Sequence, residues 1–120
     1  MTVDGLVPGI GSARTEPVVL SRSEVPGGGY GEWVRSADLS AGVYRLPAGA
    51  ADGQSPHRED EVYVVTAGQA VLEVEGVRTP VAVGSVAFVP RGADHRFVDI
   101  TADLEVSVVF APPETASPTS

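Results

Sequence analysis

Apolar side chains in this chain recur in short bursts with a two-residue period, and each burst is stopped by glycine, proline or aspartate. The clearest case is "VLEVE" (71–75), with Leu72 and Val74 on one face and Glu73 and Glu75 on the other. That alternation is the mark of a half-buried antiparallel strand. From residue 61 onward the bursts follow one another closely: "EVYVV" (61–65), "AVLEVEG" (70–76), "TPVAVG" (79–84), "SVAFVP" (85–90), "HRFVDI" (95–100) and "LEVSVVF" (104–110). Upstream, "PVVLS" (17–21), "EWVRS" (32–36) and "GVYRLP" (42–47) read as further strands, with "VPGGGYG" (25–31) as a loop. The glycines of that loop precede no helical pattern, so they do not make a phosphate-binding turn. No window of about 12 residues shows a helical stripe. Many short strands between turn residues predict an all-β sandwich, barrel or jelly roll. The expected layout is an N-terminal arm (1–16), one β domain (17–111) and a disordered C-terminal tail (112–120) of low apolar content.

Composition narrows the function. A chain of 120 residues can build one domain with a modest core. Fourteen glycines and ten prolines agree with a turn-rich β fold. The net charge of −8 argues against nucleic acid and anionic membranes as partners. All eight basic residues are arginines, and Lys, Cys and Asn are absent. A Schiff-base lysine, a thiol nucleophile, a disulfide and a Walker lysine are therefore excluded. Neither a secretion signal nor an apolar run of membrane-spanning length is visible, which makes the cytoplasm the expected location.

Candidate chemistry concentrates in "SPHREDEVYVVTAG" (55–68). His57 and Glu61 stand at i and i+4, on one face of an extended chain. The other histidine, His95, follows the turn "PRGAD", and an antiparallel barrel can bring the two strand ends together. Two imidazoles and a carboxylate form a set that leaves coordination positions open, suited to non-haem Fe(II) or catalytic zinc. The competing reading is that both histidines are ordinary surface residues, and spacing alone leaves that open.

The surrounding residues add a family resemblance. Gly49, Ser55, His57, Glu61 and Gly68, with five, one, three and six residues between them, resemble the first cupin motif. Gly84, Pro90, Gly92, His95 and Asp99, separated by five, one, two and three residues, resemble the second. The fifteen residues between Gly68 and Gly84 are similar to the short spacing of small microbial cupins. The resemblance spans residues 41 to 110 and implies a double-stranded β-helix. It also implies that His57, Glu61 and His95 are metal ligands. Ser55 stands where the family has a further histidine, and Asp99 where it often has asparagine. A hydroxyl is a poor ligand, so the amide oxygen of Gln54 is the candidate for the vacated place. Glu59 and Asp60 are expected to be solvated turn residues. Tyr63, Val65 and Phe97 should face inward by alternation. Phe88, Tyr44 and Leu46 are candidate walls, and Arg45 is read as a surface residue with a substrate clamp as its alternative.

The resemblance implies a divalent metal, with Fe2+ favoured over Zn2+, Mn2+ or Ni2+, and an organic small molecule as substrate. The leading expectation is a mononuclear, oxygenase-like enzyme. Redox-neutral isomerases, cyclases and lyases are the alternative, beside a non-enzymatic ligand-binding module and a metal-free structural remnant. With no Cys or Lys, a general base would be Glu61, Tyr63 or metal-bound hydroxide. Exposed edge strands and the resemblance favour a homodimer.

Overall fold

The computed structural model describes residues 17–19, 29–54 and 56–115. Six strands form one antiparallel sheet: β1 (Gly29–Arg35), β2 (Ser40–Leu46), β3 (Asp60–Val74), β4 (Val77–Ala82), β5 (Val86–Val89) and β6 (His95–Ala111). Their order is β1-β2-β6-β3-β4, and β5 pairs with β3. This is the all-β, double-stranded β-helix expected. Among the described residues no helix is long and apolar enough to cross a membrane.

The main departure from the expected elements lies in β3 and β6. "EVYVV" and "AVLEVEG" are one strand of 15 residues, and "HRFVDI" and "LEVSVVF" are one of 17. The intervening "TAGQ" and "TAD" segments are bulges rather than turns, and they lie opposite each other in the β3–β6 ladder, where the register shifts. Gly68 has φ +87°, and a Cβ there would lie 2.2 Å from the Asp103 carbonyl oxygen. Glycine at 68 therefore lets β3 bend against β6 without ending, as barrel corners require. Asp99, also at positive φ, marks the matching irregularity in β6.

Each bulge changes which side chains face inward. On β3 the buried positions are Glu61, Tyr63 and Val65 before Gly68, then Ala70 and Leu72 after it. On β6 they are His95 and Phe97 before Asp99, then Ile100, Leu104, Val106, Val108 and Phe110. An added residue reverses the parity of everything beyond it. Together with Leu46, Val81 and Val89 these side chains fill the barrel. The β3–β4 connection is tighter: Glu75 and Gly76 both have positive φ between paired Val74 and Val77, the geometry of a type I′ hairpin.

Other expectations need correction at the ends. Pro17, Val18 and Val19 form no strand, and the rest of "PVVLS" and the arm 1–16 lie outside the described residues. Residues 29–31, read as loop, begin β1 because they pair with Val43–Arg45. The first four tail residues, 112–115, are fastened to the barrel: the Glu114 N–H donates to Ser40 Oγ at 2.9 Å, and Arg35 Nη2 donates to the Glu114 carbonyl at 2.6 Å. Low apolar content misled there, because polar bonds to buried partners do the anchoring. Residues 116–120 lie outside the described residues.

Candidate metal centre

The two histidines meet because their chain segments are tied together. The Gly92 N–H, in the turn before β6, donates to the His57 carbonyl at 2.8 Å. Beside it, the Arg91 N–H donates to Asp60 Oδ1 at 3.0 Å. These bonds dock the β2–β3 loop against the start of β6 and set the imidazole centroids 5.2 Å apart. Glu61, on the first inward position of β3, completes the group. Its Oε1 lies 3.1 Å from His95 Nε2 and 3.7 Å from His57 Nε2. One ligand atom from each of His57, Glu61 and His95 lies within 4.8 Å of the others. All three side chains are about 1% exposed.

Protonation makes this arrangement informative. His95 Nδ1 lies 2.9 Å from the Ala93 carbonyl, an acceptor, so Nδ1 carries the proton and the neutral ring turns its Nε2 lone pair toward Glu61. His95 Nε2 and Glu61 Oε1 are both buried, and among the described residues neither has a hydrogen-bond partner. Two facing lone pairs at this distance repel unless a proton or a cation lies between them. The titration of the rings carries the same sign. Burial works to lower the His95 pKa, but the Glu61 carboxylate and the Ala93 carbonyl outweigh it and raise it. Burial dominates at His57 and lowers its pKa against the pull of Glu61. The site therefore attracts one positive charge and resists two protons.

Gln54 stands at the same point. Asp52 Oδ2 accepts from Gln54 Nε2 at 2.7 Å and from the Phe97 N–H at 2.8 Å, and Asp52 Oδ1 accepts from Tyr44 Oη at 2.7 Å. That network fixes the amide orientation. Gln54 Oε1 consequently faces His57 Nε2 at 3.2 Å and accepts from Tyr63 Oη at 3.1 Å. Burial first, and then Glu61, hold the Tyr63 phenol well above its usual pKa. In the metal-free protein Tyr63 is thus held in its neutral, hydrogen-bond-donating form. Ser55 lies outside the described residues.

A crevice too narrow to admit a water molecule adjoins the cluster, walled by Tyr30, Tyr44, Tyr63, Glu61, Val108 and Phe110. It brings together all three tyrosines of the chain. Two hydroxyls are committed to Asp52 and Gln54, whereas Tyr30 Oη is buried without a partner among the described residues. Tyr30 packs over Gly42, where a Cβ would lie 2.5 Å from its hydroxyl.

Residues 42–112 match the family described as Cupin domain. This chain belongs to the cupin family. The cupin is 48% identical over 88 residues to an uncharacterized protein of Streptomyces coelicolor, covering 73% of this chain and 84% of that one. It superposes on an RmlC-like cupin family protein with a double-stranded β-helix fold from Methanocaldococcus jannaschii with TM-score 0.70. Identity there is 19%, over 83% of this chain and 94% of that one. An RmlC-like cupin from Shewanella frigidimarina gives TM-score 0.69 at 23% identity, over 81% and 92% of the two chains. These two likenesses concern the fold.

Several expected neighbours of the cluster stand elsewhere. Phe88 is 62% exposed on the outer face of β5 and walls nothing; its partner across the ladder is Val62, an outward position of β3. Arg45 also points outward, where its Nε donates to Glu105 Oε2 at 2.8 Å. Asp60 opens β3, paired with Ala111, rather than lying in a turn, and its side chain meets Arg91 at the surface. Glu59 does not follow it: only 1% exposed, it accepts from both the N–H and the hydroxyl of Thr115. Sequence reasoning missed Asp52, Tyr30 and Glu114. Asp52 lies in "AADGQ", where an aspartate reads as a turn residue, and its three partners are 8, 2 and 45 residues away.

Proposed function

We propose that this cupin is a mononuclear metal enzyme acting on an organic small molecule, with His57, Glu61 and His95 as ligands and Gln54 Oε1 as a fourth. The carrying observation is the pair of buried, unpartnered atoms, Glu61 Oε1 and His95 Nε2, that face each other. A cation relieves that repulsion, and two imidazoles with one carboxylate suit Fe2+, with Zn2+, Mn2+ or Ni2+ as alternatives. When bound, the metal would supply Lewis acidity and, if it is Fe2+, the redox chemistry of an oxygenase.

The protein's own groups define the rest. Asp52 orients Gln54 and Tyr44, so the ligand amide cannot rotate. Tyr63 donates its proton to Gln54 and stays neutral. Tyr30 carries the spare hydroxyl, which can meet a substrate oxygen once the crevice widens. Burial raises its pKa and keeps it a donor. Phe110 and Val108 make the apolar part of the wall.

A second reading, a ligand-binding cupin without turnover, is favoured by the commitment of the Tyr44 and Tyr63 hydroxyls to internal partners, which engages two of the three tyrosines beside the ligands. Metal analysis of anaerobically purified protein, followed by a substrate screen with an oxygen electrode, separates the readings. Stoichiometric iron with substrate-dependent oxygen uptake supports the oxygenase. A bound metal with tight ligand binding but no turnover supports the binding module. Metal-free protein that takes up none of the four cations would overturn both.

A further inference from the structure

His57 is held between two carboxylates. Glu61 approaches its Nε2, and Glu114 Oε2 lies 3.8 Å from its Nδ1. The His57 and Glu114 side chains are 1% and 6% exposed. Glu114 belongs to the short segment that follows β6, and its side chain reaches the His57 ring. Four bonds clasp that segment: Glu114 N–H to Ser40 Oγ, Arg35 to the Glu114 carbonyl, and the Thr115 N–H and hydroxyl to Glu59 Oε2. Phe110, near the end of β6, packs edge-on against the His57 ring at a centroid distance of 5.0 Å.

The His57 ring thus has an oxygen on either side, and its Nδ1 is buried without a hydrogen bond among the described residues. Gln54 Oε1 faces Nε2 at 3.2 Å, and Glu114 Oε2 lies 3.8 Å from Nδ1, close enough for a small ring shift to bring them into hydrogen-bond contact. Ligation through Nε2 requires the proton on Nδ1. A carboxylate beside that nitrogen stabilises this tautomer and raises the basicity of the ligating one. We infer that Glu114 is a positioning residue for the metal centre, delivered by the C-terminal clasp, and that closure of the clasp and metal binding at His57 are coupled. The inference rests on the metal reading proposed above. Linkage makes the coupling reciprocal: a clasp that tightens metal binding is itself tightened by the metal to the same factor.

The test uses the full chain and zinc as the probe. Zinc affinity is measured by competition titration for the wild type, Glu114→Ala, Glu114→Gln and Thr115→Val. Outer-shell partners of this kind contribute roughly 10–100-fold in affinity. Glu114→Ala should lose that much. Glu114→Gln, which keeps an acceptor oxygen without the charge, should lose less. Thr115→Val, which loosens the clasp without touching His57, should lose less than Glu114→Ala. Histidine nitrogen NMR of the zinc-loaded wild type should show the His57 Nδ1–H protected from exchange, and Glu114→Ala should abolish that protection. In the wild type, zinc should slow amide exchange at Glu114 and Thr115. Equal zinc affinity in all four proteins overturns the inference while leaving the metal site standing. A loss in Thr115→Val as large as in Glu114→Ala, with His57 Nδ1–H protection unchanged, also overturns it, because the segment would then act only as a cover. Absence of zinc binding by the wild type overturns the metal site, and this inference with it.

Discussion

The inner face of β3 and the outer face of β5 reverse ordinary burial in opposite directions. Inside, Glu61, His57 and His95 are 1–3% exposed. Outside, one strand away, Val86 and Phe88 leave 69% and 62% of their surface to solvent. Charged groups are rarely buried unless paired, and an isolated exposed apolar residue is unremarkable. The inner exception is therefore the more informative. Its atoms lack partners that burial demands, which points to a cation. The outer exception is informative only because it extends along a row: Phe88 neighbours Val62 and then Val109, and Val86 neighbours Val64 and then Ser107. Neither row contains a charge. In a chain of net charge −8 this is the surface on which two copies can approach without repulsion. We propose that a second copy of the chain covers it.

The inner face breaks first. His57→Ala and His95→Ala should each lower metal affinity by more than the roughly 100-fold upper range of outer-shell changes, with β-type circular dichroism retained. Full metal content in either purified variant would remove the site. Acidification should have the next largest effect. Ligation needs both rings neutral, so affinity should fall by up to about tenfold per pH unit for each histidine below its pKa. With the His95 pKa raised and the His57 pKa lowered, the decline should begin above about pH 6.5 with a one-proton slope and steepen below it. In the metal-free protein the two rings oppose each other. The His95 contribution to stability is full below about pH 6.5 and is lost as pH rises through its elevated value. The His57 contribution is lost as pH falls below about 6.5 toward its depressed value. Zinc titrations across pH 5 to 8 test the slopes, and a flat profile would exclude histidine ligation.

The outer face should respond to Phe88→Glu. A central aromatic at an interface typically contributes about 2 kcal/mol or more, so dimer dissociation should strengthen about 30-fold, with metal content untouched. Sedimentation of wild type and variant reads this directly. A wild type that is monomeric at all concentrations would leave the row without a second copy. The smallest effect belongs to Tyr30→Phe. Removing a buried, unpartnered hydroxyl should leave stability unchanged or raise it by about 1 kcal/mol. It should also weaken an oxygen-bearing ligand about tenfold, the worth of one hydrogen bond. Thermal melts and ligand titrations check the two halves, and an unaltered ligand affinity would remove Tyr30 from the binding role.

How far each region could be read without coordinates follows from the range of the forces involved. Two-residue alternation is local, so the strands from 61 to 110 were legible, and Leu72 is buried as its pattern requires. The chain's only two histidines, each followed by an acid four residues on, stood out by residue type alone. Gly68 and Asp103 were read as turn positions because glycine and aspartate in a strand pattern give the same local signal whether the chain turns or bulges. That choice depends on β3 and β6 lying opposite each other, a contact between segments more than 30 residues apart.

The sequence by itself determined an all-β chain of cupin type, with His57, Glu61 and His95 as the residues on which metal chemistry would turn. Only the tertiary structure decided what surrounds them. Asp52 aims Gln54 through a bond to the backbone of Phe97, and Glu114 comes from a polar tail to stand behind His57. Phe88 turns outward because β5 pairs with β3 in a register that places it beside Val62. Strand period and ligand chemistry are properties of neighbouring residues and can be read along the chain. Register, parity beyond a bulge, and the partner of a buried carboxylate are set by which distant segments touch, and that is decided only when the barrel closes.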